Sequence, residues 1–127
     1  MKQIRIEGYT PMEIYFQLVN DAAGLKKAVE ELENEPFLGF DVETTDLEPY
    51  RGELRLVQLS NGRNTKVIDL RGFGGPGTDL SQDPALAPLR DLLGSKKQVK
   101  IAHNAKFDTK WTRHHLGVEV GAVYDTY

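Results

Sequence analysis

Apolar positions along the chain change their period several times, and each change marks an element. Glu13-Ile14-Tyr15-Phe16-Gln17-Leu18-Val19 is rich in β-branched and aromatic residues and predicts a strand, after an N-terminal tail with a turn at Tyr9-Thr10-Pro11. Asn20 or Asp21 then caps a helix reaching Glu33, with Leu25, Ala28, Val29 and Leu32 at helical spacing. Phe37-Leu38-Gly39-Phe40-Asp41-Val42 is a short apolar run between Pro36 and the polar Thr44-Thr45-Asp46, and predicts a buried strand. Leu54 to Leu59 and Thr65 to Leu70 predict two more strands, with Asn61-Gly62-Arg63-Asn64 as the hairpin turn between them. Three strands joined by short loops make an antiparallel meander. Helix resumes at Pro84, tolerated in a first turn, and runs to Leu93 before Gly94. A last strand ends at Ala102, and a helix starts near Asn104. Strand and helix alternate without internal repeat or linker, which predicts a single α/β domain over residues 1–127.

One strand ends in two acids. Alternation puts Asp41 and Glu43 on the same face with Val42 opposite, their Cα atoms about 7 Å apart. That spacing lets two carboxylates surround one cation or hold a pair of cations about 3.5–4 Å apart. Without a counter-ion, like charges at a buried strand end repel. A solvated strand end reads the same pair without any function.

Composition narrows the chemistry. With no cysteine, disulfides, thiolate nucleophiles and zinc–thiolate sites are excluded, so a metal must be held by oxygen or imidazole, which favours Mg²⁺ or Mn²⁺. The N-terminus lacks the apolar core of a signal peptide and no stretch is long enough to span a membrane, so a cytoplasmic domain is expected. Net charge is −3, unevenly spread: residues 1–50 carry 4 Lys/Arg against 11 Asp/Glu, residues 51–127 carry 12 against 8. This asymmetry suits a polyanion approaching one side while the acidic half holds metal or faces solvent.

Two further stretches carry candidate chemistry. Gly72-Phe73-Gly74-Gly75-Pro76-Gly77 matches the dinucleotide-binding glycine pattern, but it follows a meander and runs on towards Pro84 instead of opening a helix, so it reads as a connecting loop. In Val99 to Trp111, helical spacing places Asn104, Asp108, Trp111 and His115 on one face, so Asp108 can face the end of the sheet. Lys106, Lys110 and Arg113 form another stripe, either a basic surface beside the acids or a solvated helix side. His103, His114 and His115 are candidate ligands, though histidines late in a helix also serve its dipole.

Asp41-Val42-Glu43-Thr44, Leu56-Val57-Gln58-Leu59 and His103-Asn104-Ala105-Lys106-Phe107-Asp108 together resemble the DEDD superfamily of 3′–5′ exonucleases, of the ribonuclease D and DNA polymerase I proofreading type, from about Tyr15 to the end. The resemblance implies a ribonuclease H-like fold, with a mixed five-stranded sheet and helices on both faces. It implies that Asp41, Glu43 and Asp108 are catalytic metal ligands for Mg²⁺ or Mn²⁺ in a two-metal site. It also implies substrate-binding roles, with Thr44 beside the terminal nucleotide, Leu47 wedged against its base, Asn104 near the substrate phosphate and Phe107 among the binding residues, although Thr44 as a loop threonine and Leu47 as a core leucine need no function. The partner it implies is the 3′ end of a single-stranded DNA or RNA, and the product a nucleoside 5′-monophosphate.

The same resemblance places a third motif, a Tyr or His four residues before an Asp, downstream of Val123-Tyr124-Asp125-Thr126, and the sequence reaches Tyr127 without it. Asp125 matches a helix-capping Asp-Thr and not that ligand. The expectation is therefore an exonuclease domain lacking its C-terminal helical part and weakly active alone; the alternative is a catalytically incomplete module of the same fold that binds nucleic acid or a protein. Apolar surface left uncovered, with Val118, Val120, Val123 and Tyr124 at its edge, would then favour self-association.

Overall fold

The computed structural model describes residues 2–4, 14–74 and 78–127. Glu13, the turn at Tyr9-Thr10-Pro11 and residues 75–77 of the glycine-rich loop lie outside them. Strands β1 (Lys2–Ile4) and β2 (Ile14–Val19) are followed by helix α1 (Ala22–Leu32), then β3 (Phe37–Thr44), β4 (Leu54–Ser60) and β5 (Asn64–Asp69). Helix α2 (Ala87–Gly94), β6 (Val99–Ala102), α3 (Ala105–Leu116) and β7 (Val123–Asp125) complete the order. Asp21 caps α1, accepting the Gly24 amide at 2.7 Å. Short 3-10 turns at Leu70–Gly72, Leu80–Gln82 and Pro84–Leu86 occupy the connection between β5 and α2.

The strands form one mixed sheet in the order β1-β2-β5-β4-β3-β6-β7. The expected meander is present, since β3 pairs antiparallel with β4 and β4 with β5. β2 joins β5 and β6 joins β3 in parallel. The sheet has seven strands where five were expected. The two additions are three-residue edges, β1 antiparallel to β2 and β7 parallel to β6, too short for alternation to reveal.

Burial separates the faces sharply. Val19, Leu38, Phe40, Val42, Val57, Leu59 and Ile68 join the buried residues of α1, α2 and α3 in one core. The register aligns Leu18, Val67, Gln58 and Asp41 across the opposite face, and Ser60, Gly39, Ile101 and Tyr124 in the neighbouring row. Among the described residues no side chain on that face is buried; Leu18 is 55% exposed and Phe37 56%. Helices on both faces were expected; instead all three contribute to the core on one. Of the apolar residues expected at an uncovered edge, Val118 and Val120 pack against the core, while Val123 and Tyr124 are exposed.

Polar ties fix β6 within this frame. The Gln98 amide donates to the Leu32 and Glu35 carbonyls, both at 2.7 Å, and so closes the end of α1. Fully buried Lys100 donates to the carbonyls of Ser95 at 2.5 Å and Gln98 at 3.1 Å, and burial lowers its pKa. No helix among the described residues is long and apolar enough to cross a membrane.

Candidate active site

β6 accompanies β3 only from Phe37 to Gly39. Beyond Gly39 the central strand has lost that neighbour, and the first turn of α3 reaches the exposed backbone. Asp108, 2% exposed, accepts the Val42 amide on Oδ1 at 3.2 Å. Val42 is the residue between Asp41 and Glu43, whose exposed side chains rise on the open face. Pairing of β3 with β4 becomes irregular between Glu43 and Thr44, as at a bulge. One buried acid in the sheet edge and two exposed acids on the open face therefore share the end of a single strand.

The turn from β6 into α3 is tight. Asn104 sits at φ 63° and ψ 57°, a left-handed conformation that asparagine tolerates better than most residues, and its side chain does not cap the helix. The cap comes from β7. Asp125 accepts the Asn104 amide on Oδ1 at 3.0 Å and the Ala105 amide on Oδ2 at 3.1 Å, and Oδ1 also takes the Tyr127 amide at 3.0 Å. The sequence reads Asp125 as an N-cap residue; it lies instead in β7 and braces the turn before α3 from outside that helix.

Electrostatics separate the two aspartates. Burial raises the Asp108 pKa to about 7, reinforced by the charge of Asp41 and, more weakly, of Asp125; the Val42 amide works against both. Asp125 is held below the ordinary carboxylate range, first by the Tyr127 amide and then by those of Ala105 and Asn104. Near neutrality Asp108 is therefore a frustrated acid whose ionised form a nearby cation would favour. An all-oxygen donor set with one such member suits a hard divalent ion. The gathering is incomplete: among the described residues no group of three or more His, Asp or Glu is close enough to hold a metal. Glu43 is not among the charges that shift Asp108.

The other predicted positions surround this end. Thr44 donates its hydroxyl to the Asp46 carbonyl at 2.8 Å. Leu47, read as a core leucine if functionless, is instead 77% exposed, although its loop is tied down at buried Pro49. That loop is closed by Thr45, whose amide donates to the Glu53 carbonyl at 3.0 Å and whose Oγ1 accepts the Glu53 amide at 2.8 Å. Asn104 is exposed, and half-buried Phe107 lies with its ring centroid 6.0 Å from that of buried Trp111.

Sequence reasoning names His115 as a candidate ligand and misses the loop it supports. His115 donates from Nε2 to the Pro49 carbonyl at 3.0 Å and stacks on Trp111 with an 11° interplanar angle, so α3 holds the loop that carries Leu47. Burial lowers the His115 pKa, which favours the neutral ring. Its spacing four residues after Trp111 was visible; the partner, 66 residues upstream, was not.

Known proteins resemble this chain in sequence and in fold. The chain is 39% identical over 111 residues to DNA polymerase I of Aquifex aeolicus, covering 87% of this chain and 16% of that one. It is 30% identical over 123 residues to ribonuclease D of Bartonella henselae, covering 97% of this chain and 27% of that one. The chain thus spans about a quarter or less of these relatives' lengths. The crystal structure of Escherichia coli RNase D, an exoribonuclease involved in structured RNA processing, superposes with a TM-score of 0.74 at 21% identity, over 89% of this chain and 28% of that one. The profile of the 3′–5′ exonuclease family matches residues 16–127, and the chain belongs to that family.

Proposed function

We propose that residues 1–127 form a 3′–5′ exonuclease domain in which Asp41, Glu43 and Asp108 hold Mg²⁺ or Mn²⁺. The observation that carries this reading is the buried Asp108 beside Asp41, its pKa raised to about 7. Such a group destabilises its own ionised form unless a cation offsets it. Exonucleases of this family depend on divalent metal, which supports the assignment. When bound, the cation lowers the pKa of water and offsets charge building on the phosphate.

The chain's own residues supply the rest. Asp41 and Glu43 present carboxylates on the accessible face, and Asp108 is fixed from below by the Val42 amide. Asn104, at the mouth of the turn, is placed to meet a phosphate or sugar. Leu47 and Phe107 offer apolar contacts for the terminal nucleotide, and Thr44 ends β3 next to Glu43. Water attacks phosphorus, the P–O3′ bond breaks, and the 3′-oxygen leaves with a proton; the product is a nucleoside 5′-monophosphate. Among relatives, one is a DNA polymerase and one a ribonuclease, so the substrate class is the single-stranded 3′ end in either nucleic acid.

Calorimetric titration with Mn²⁺, paired with trimming of a 5′-labelled oligonucleotide, tests this reading. Asp41→Ala and Asp108→Ala are expected to lose Mn²⁺ binding and the ladder of 3′-shortened products together. Unchanged Mn²⁺ binding in both variants would refute the metal assignment, and shortening from the 5′ end would refute the polarity.

A further inference from the structure

The exonuclease site uses only the first turn of α3, yet the helix continues for two more turns with a basic face that has no role there. Lys106, Lys110 and Arg113 are all exposed, at spacings of four and three residues that keep them on one stripe about 10 Å long. They do not border plain solvent. One surface hollow is lined by three basic residues, Lys106, Lys110 and Arg113, with Asn104, Phe107, Thr109 and a single acid, Glu119. A second, lined by Pro49, Tyr50, Lys110, Arg113 and His114, shares Lys110 and Arg113 with it. The first begins at Asn104 and Phe107, where the terminal nucleotide is placed. The second ends at Tyr50, 84% exposed, its ring edge-on to His114 with centroids 4.7 Å apart. The bond from His115 to the Pro49 carbonyl holds that loop against the helix. The sole ion pair on the stripe among the described residues is Arg113 with Glu119 at 3.5 Å, both partners well exposed, and such pairs are weak and screened.

We propose that this face of α3 is a track for the single strand behind its 3′ end, with Lys106, Lys110 and Arg113 meeting successive phosphates and Tyr50 stacking a base. A positive groove that follows a backbone, joined to an exposed aromatic ring, is how proteins bind single strands without reading their sequence. The net charge of the chain is negative, so this local stripe, not a general field, must attract the polyanion. The proposal rests on the exonuclease reading for its direction, because that reading places the 3′ end at Asn104.

The experiment measures binding, not cleavage. Fluorescence anisotropy of 5′-labelled oligothymidylates and oligouridylates, from dinucleotide to dodecamer, is recorded in EDTA across a salt series. Wild-type affinity is expected to rise with length. The variant Lys106→Gln/Lys110→Gln/Arg113→Gln should flatten that rise, weakening the dodecamer about tenfold or more and reducing the slope of log affinity against log salt by about 2. Tyr50→Ala should weaken the longer strands about fivefold or more while leaving the salt slope unchanged. Lys106→Arg/Lys110→Arg should retain wild-type binding, separating charge from loss of fold. A dodecamer bound equally well by the Gln variant, or a dinucleotide weakened as much as the dodecamer, would overturn the track. A wild-type chain that binds neither the deoxyribose nor the ribose series would assign the stripe to another partner and overturn it equally. Because no step requires cleavage, a chain that binds in this graded way but keeps full Mn²⁺ affinity in Asp41→Ala and Asp108→Ala would refute the exonuclease reading alone.

Discussion

Asp108 and Asp125 flank the same turn of backbone and have opposite fates. Asp108 enters from the helix side, is buried, receives one amide at 3.2 Å and faces another carboxylate, so its pKa rises. Asp125 enters from the edge strand, stays exposed, receives three amides at 3.0–3.1 Å and its pKa falls. Residue type is the same, so the difference lies in how many donors each ionised form collects and how much water it keeps. An acid supplied with donors is a structural cap. An acid denied them, beside a second acid, retains an unmet demand for positive charge.

The largest expected effect breaks the pair apart by function. Asp108→Ala should lower divalent-dependent trimming by more than about a hundredfold, because charge stabilisation worth several kcal/mol is lost. Asp125→Ala should leave trimming within about threefold when measured well below its melting temperature. Gel quantification of products from a labelled strand decides this; equal losses would mean that Asp125 belongs to the chemistry.

The next contrast is stability against pH in EDTA. The Asp108 pKa is raised on folding, so its contribution is fullest below the unfolded value of 3.8 and is lost as pH rises through about 7. Asp125 is lowered, so its contribution is present above 3.8 and is lost as pH falls through its folded value. Asp108→Asn keeps an acceptor for the Val42 amide and removes the charge, and should stabilise the metal-free chain at pH 8 by on the order of 2 kcal/mol. Asp125→Ala should destabilise it there, because three backbone amides lose their acceptor. Urea unfolding from pH 4 to 8 measures both; an Asp108→Asn variant no more stable than wild type at pH 8 would remove the frustration from the argument.

The sequence shows the Asp41/Glu43 side of this contrast clearly and the Asp125 side only in part. Alternation placed Asp41 and Glu43 together, and helical spacing turned Asp108 towards them, because both rest on local periodicity. Two of the amides that donate to Asp125, those of Asn104 and Ala105, lie 21 and 20 positions upstream in the turn before α3, and no local pattern names them. The same limit hid the orientation of the outer strands. Val67, Val99 and Ile101 have the hydrophobic look of core residues, yet Lys66 and Lys100 take the covered face and those three face the open one. Lys66 is accommodated there by Gln17 and an ion pair with Glu31, and Lys100 by two backbone carbonyls, partners that tertiary structure alone supplies. Leu47 shows the converse: its exposure overturns the core reading and leaves the side chain accessible to a ligand.

The smallest expected effect is the most discriminating, since it asks whether the two aspartates sense one another. Asp41 is the larger charge acting on Asp108 and Asp125 the smaller, and both raise its pKa. Removing either charge should therefore lower the Asp108 pKa, with Asp41→Asn lowering it more than Asp125→Asn. Carbon-13 detection of the Asp108 carboxyl across a pH titration in EDTA reads this directly. Asp125→Asn keeps an oxygen acceptor for the turn, so the backbone amides of Asn104 and Ala105 report in the same spectra whether the cap survives. If the cap persists and Asp108 does not move, the two sites are electrostatically independent, and burial with Asp41 alone accounts for the frustrated acid. If Asp125→Asn moves Asp108 as far as Asp41→Asn does, the edge strand contributes to the field of the candidate metal site as strongly as the central one, and the division between cap and ligand fails.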